Sequence, residues 1–87
     1  YEYPNYIISI SGADNEGIVH NVTDSISSLG INIIEVVTDT ENAPITGSTL
    51  FHMVSKIYLK ENKKDELSEK LSEIEINFGL AVKLERI

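Results

Sequence analysis

The stretch SGADNEGIVHNV, residues 11–22, sets Asp14, Asn15 and Glu16 between Gly12 and Gly17, just before an apolar pattern of helical period. Two opposite chemistries meet there. The first backbone N–H groups of a helix opening near Glu16, Gly17 and Ile18 have no partner in the helix's own ladder. With the positive end of the helix dipole they favour a carboxylate. Gly17 has no Cβ to hold a ligand away from that backbone. Asp14 and Glu16, with the side-chain oxygen of Asn15, favour an ammonium. A small free amino acid carries both charges, whereas a phosphate would meet the same amides together with uncompensated carboxylates. The terms are modest: about 0.3–1 kcal/mol from the dipole and about 1.5–3 kcal/mol for each charged hydrogen bond. After ordering costs this corresponds to an affinity on the order of 0.01–1 mM. The competing reading has Asp14 or Asn15 capping the helix, worth about 1 kcal/mol, with Glu16 decorating its first turn.

Other chemistries have less support. Glu16 and His20 stand at i, i+4 and could join Asp14 around a divalent metal, but there is no second cluster of ligands, and a solvated helix face explains the spacing equally. His52, between Phe51 and Met53, reads as a sheet residue. No nucleophile, base and orienting partner can be assembled, so a non-enzymatic protein without a cofactor is expected. The chain has no cysteine, which excludes disulfides and thiolate metal sites and is compatible with a reducing cytosol.

The net charge of −7 is unevenly distributed, because every Lys and Arg lies at or beyond Lys56. Glu2, Asp14, Glu16, Asp24, Glu35, Asp39 and Glu41 therefore stand without a cation in their half of the sequence. A field of this sign repels phosphate backbones, so direct nucleic-acid contact is not expected. No run approaches the roughly 20 apolar residues of a membrane span, and a cytoplasmic protein is expected.

The elements that must hold the corner follow from periodicity. Residues 6–11 alternate as a strand; Ile18, Val22, Ile26 and Leu29 form one helical stripe, which Gly30 ends. Residues 31–40 and 48–59 are rich in β-branched and aromatic residues and read as two further strands. Between them, ENAPITG, residues 41–47, is turn-forming. A second helix is expected over about residues 63–76, with Leu67, Leu71 and Ile74 on its inner face and a solvated charge run outside. A last strand follows over 80–87. The order β-α-β-β-α-β predicts an α+β, ferredoxin-like fold: a four-stranded antiparallel sheet with two helices on one face. Strict alternation puts Ile33 and Val37 on one side of the second strand and Ile34 and Val36 on the other. Apolar residues on both sides imply that the helix-free face, or an edge beside it, is covered by another domain or chain. The 87 residues fit a single domain of modest core, and a start at Tyr1 suggests a unit cut from a longer tandem protein.

The segment ADNEGIVHNVTDSISSLGINI resembles the signature of ACT domains, which are small ligand-binding regulatory modules: Asp and Gly before the helix, Ile-Val opening it, and Gly-x-Asn-Ile leading into the next strand. ENAPITGSTLFHM is similar to the long strand connection in the second ACT domain of glycine cleavage system transcriptional repressors. The Asp-x-x-Gly-Ile-Val and Asn-Ile pieces are also shared with the ACT domain of formyltetrahydrofolate deformylases. The resemblance implies a regulatory domain sensing a glycine- or serine-like amino acid, with Asp14, Asn15, Glu16, Gly17 and Ile18 on one side of the pocket. Asn32 and Ile33 would come from a partner ACT domain, in a homodimer or a tandem pair, acting on a regulator or an enzyme. Taken alone, Asn32 also reads as a turn or bulge residue. The chain departs from the family at Asn15-Glu16, where many members carry Arg-Pro. That departure motivates the alternative of an interaction module without a ligand.

Overall fold

The computed structural model describes residues 3–13, 17–42, 45, 47 and 49–87. The order is β1 (Tyr6–Ala13), α1 (Ile18–Ser28), β2 (Asn32–Asn42), β3 (Thr49–Tyr58), a 3-10 turn at Glu61–Lys63, α2 (Lys64–Phe78) and β4 (Ala81–Arg86). The strands described make one four-stranded sheet in the order β2-β3-β1-β4, antiparallel throughout. This is the expected α+β arrangement, with boundaries within two residues of those read from periodicity. Of the turn-forming link, Ala43, Pro44 and Thr46 lie outside the described residues.

The core is built by two periodicities meeting. On the sheet, Tyr6, Ile8 and Ile10 of β1 are buried beside Phe51, Met53 and Ile57 of β3. The helices contribute Ile18, Val22 and Ile26 from α1 and Leu67, Leu71 and Ile74 from α2 to the same cluster. Both helices therefore cover the same sheet face. The intervening residues Ile7, Ser9, His52, Val54 and Lys56 face the other way and are not buried. Leu29 sits just past the end of α1 and packs against the core from its margin.

The expected alternation along β2 fails at one point. Ile33 pairs with Ile57, but the next paired position is Glu35 with Lys56, so Ile34 is an extra residue in a β-bulge. The bulge shifts the phase by one. Ile33 and Val36 consequently share the helix-side face, and Val37, opposite Val54, looks out from the helix-free face. The assignment of Ile33 and Val37 to one side is thus corrected, because strict period 2 holds only where no residue is inserted.

A Cβ at Gly12 would lie 2.7 Å from Leu80 Cδ2 and 3.4 Å from Leu80 Cα, at the entry to β4, so a side chain there would displace the buried Leu80 side chain. Across the sheet's other end, Asn5 fastens three strand ends. Its backbone N–H donates to Ile57 O and its carbonyl accepts from Ile87 N–H, both at 3.0 Å. Its side chain exchanges two 2.8 Å bonds with the backbone of Leu59. Among the described residues no helix is long and apolar enough to cross a membrane.

Candidate functional site

The junction of β1 and α1 is set by one backbone angle. Gly17 is the residue before the helix and adopts φ 74, ψ 9, a left-handed conformation that costs a side-chain-bearing residue about 1–2 kcal/mol. Its carbonyl accepts the first intrahelical bond, from Asn21 N–H at 2.9 Å, and a second from Asn21 Nδ2 at 3.0 Å. The N–H groups of Gly17, Ile18, Val19 and His20 consequently lie outside the helical ladder and at the positive end of the helix. Gly17 has no side chain with which to cap them. The Ile18 side chain is 2% exposed, so its role is to anchor this first turn in the core while its backbone remains at the rim. There is no acidic residue in the first turn of α1 itself; Asp24, one turn further on, sits 2.9 Å from His20 Nε2 on the exposed face. Asp14, Asn15 and Glu16 lie outside the described residues, so the ammonium half of the predicted corner rests on their sequence.

Asn32 and Ile33 are elsewhere. Asn32 is exposed and pairs with Tyr58, and Ile33 is half-buried against the core opposite Ile57. This is the end of the sheet where β1 begins, whereas Ala13, next to the predicted corner, pairs with Leu50 at the opposite end. The eleven residues of α1 separate the two groups, a rise of about 16 Å. Within one chain, then, the structure brings Gly17 and Ile18 together, brings Asn32 and Ile33 together, and keeps the two pairs apart.

Among the described residues, concavities emerge that sequence reasoning missed. The helix-free face holds an open trough of about 340 Å³, whose lining includes Ser9, Ser11, His52, Val54, Ala81 and Lys83. Its floor is low where β1 carries small residues: Ser9 lies between Val54 and Lys83, and Ser11 between His52 and Ala81. The recurrence of small residues at alternate β1 positions was a legible signal. His52 Nε2 lies 3.1 Å from Glu41 Oε1 at the trough's margin, as an outward sheet residue. A second concavity, about 130 Å³, lies beside Asn32 and is lined by Gly30, Ile31, Asn32, Tyr58, Lys60 and Lys63. Among the described residues no group of three or more His, Asp or Glu could hold a metal ion.

The edge strand β2 is uncovered. Ile34, Val36 and Val37 are exposed by 40%, 37% and 55%, and no strand among the described residues pairs with β2 on the side away from β3. Lone surface apolar residues need no explanation, but three exposed apolar residues within four positions, beside a bulge on an open edge, form a surface suited to pairing.

No protein-family model matches the sequence, and no curated protein matches it closely. Solved structures do. An unknown protein from Galdieria sulphuraria is 37% identical and superposes over 97% of this chain with a TM-score of 0.88; this chain spans 49% of that one. An ACT domain protein from Streptococcus pneumoniae is 19% identical, with a TM-score of 0.73 over 98% of this chain and 91% of its own. A protein described as a glycine cleavage system transcriptional repressor is 20% identical, with a TM-score of 0.67 over 97% of this chain and 46% of its own. By element order, strand arrangement and superposition alike, the chain has the fold of ACT domains.

Proposed function

We propose that the chain is a regulatory module that binds a small, glycine- or serine-like amino acid between two ACT domains. The Gly17 turn of one domain would present backbone amides to the effector's carboxylate. Asp14, Asn15 and Glu16 would take its ammonium, and Asn32 and Ile33 of a second domain would close the pocket. The observation that carries this reading is the separation of the two residue pairs by the length of α1, since neither pair alone encloses a ligand. Likeness to the repressor's fold supports a role in controlling transcription of amino-acid metabolism. For occupancy to regulate anything, the effector must favour one mode of association over another.

The bare apolar edge of β2 favours a second reading, in which the domain pairs with its partner and holds no ligand. Thermal unfolding against a panel of amino acids separates the two. An effector at about 100 times its dissociation constant adds about 2.7 kcal/mol and raises the midpoint by roughly 10–20 °C in a domain this small. That gain should vanish in Gly17→Ala and Asp14→Ala. No shift at tens of millimolar, in this chain and in a tandem of two ACT domains, would leave the pairing module as the function.

A further inference from the structure

The cavity beside Asn32 has a lining whose only charged members are cations, Lys60 and Lys63, in a chain of net charge −7. Most of the other cations are already matched. Lys56, Lys70 and Lys83 lie 3.4, 3.5 and 3.2 Å from Glu35, Glu73 and Glu85, and Lys64 sits 5.7 Å above the Tyr6 ring. Lys63 reaches a single oxygen of Glu66 at 3.4 Å. Lys60 lines the cavity and has no ion-pair partner among the described residues, although Glu61 follows it in the chain. We propose that this cavity binds a small carboxylate monoanion, with the ammonium groups of Lys60 and Lys63 holding its oxygens.

Three considerations narrow the ligand. Water occupies about 30 Å³ per molecule in the liquid, so the 130 Å³ space suits a species the size of acetate or lactate rather than a nucleotide. The C-terminal end of α1, at Gly30, presents about half a negative charge to the cavity. The Lys60 ammonium, with that of Lys63 shared with a single oxygen of Glu66 at 3.4 Å, outweighs it. The chain's overall negative field opposes a second charge on the ligand, which favours a monocarboxylate over a phosphate dianion. The site needs neither a second copy nor an amino acid, so it stands even if the sensing reading fails.

The test is a titration of the ¹⁵N-labelled chain with sodium acetate at constant ionic strength, balanced with sodium chloride, and a parallel arm with sodium phosphate. The amides of Gly30, Ile31 and Asn32 should shift in a saturating manner with acetate at millimolar concentration. Lys60→Gln should weaken binding at least tenfold, and Lys60→Gln with Lys63→Gln should abolish it. Lys60 is exposed and has no ion-pair partner among the described residues, so the single variant keeps its fold and its retained amide dispersion checks this. Linear or absent shifts, equal shifts in the double variant, or saturation with phosphate but not acetate would each overturn the proposal.

Discussion

Among the described residues Ser55 is the polar exception in the core: fully buried, on the helix side of β3 between Ile8 and Val36, with no hydrogen-bond partner there for its Oγ. A buried hydroxyl without a partner costs about 1–3 kcal/mol, while the oxygen itself fills little volume. Ser55→Ala should therefore raise stability by about 1 kcal/mol, read as a higher denaturation midpoint with unchanged slope. A lower midpoint would show that the hydroxyl carries a favourable contact. The sequence concealed this residue, because a Ser within an alternating strand reads equally well on either face. Gly17, by contrast, was legible as lying where the helix opens, although its left-handed turn and its place as the residue before the helix came only with the structure, the sequence having offered Asp14 or Asn15 as the cap. Lys60 and Lys63 went unread as site residues because their significance depends on Gly30 and Asn32, some thirty positions earlier, which only the fold brings beside them.

At the scale of the element, Asn5 does for the strand ends what periodicity does for their middles. Hydrophobic alternation fixes which face each strand buries but not where its pairing stops. Here the stop is made by the Asn5 amide, which completes both backbone groups of Leu59 just beyond the end of β3. Leu59 is immediately followed by Lys60, so the clamp also fixes the point from which the basic turn departs. Asn5→Ala removes two partly buried bonds at about 0.5–1.5 kcal/mol each. It should lower stability by about 1–3 kcal/mol and speed hydrogen exchange at the Leu59 amide, leaving amides near Phe51 protected up to global unfolding. Unchanged exchange at Leu59 would mean that the strand end is held by packing alone. The bulge at Ile34 belongs to the same scale. It was invisible in INIIEVV because an inserted apolar residue leaves a run of apolar residues looking the same; only the register against Ile57 and Lys56 reveals it.

For the molecule as a whole, the sheet ends on one side in eleven residues of β2, with Ile34, Val36 and Val37 exposed and Glu35, Asp39 and Glu41 between or beyond them. The apolar residues and the unpaired ladder edge favour another strand. The acids and the net charge of −7 on each copy oppose it. Screening acts on the second term and hardly on the first, since the Debye length falls from about 10 Å at 0.1 M salt to about 3 Å at 1 M. If β2 pairs with the β2 of another copy, self-association should therefore strengthen as salt rises, opposite to what a contact held by ion pairs would show. Sedimentation equilibrium across salt concentrations measures this directly. Val36→Lys with Val37→Lys should shift the equilibrium toward monomer by at least tenfold while the circular dichroism stays that of the parent. A chain that remains monomeric to millimolar concentration in high salt would show that the edge is not an interface between copies. Association that weakens with salt would move the interface away from β2 to a surface where opposite charges meet.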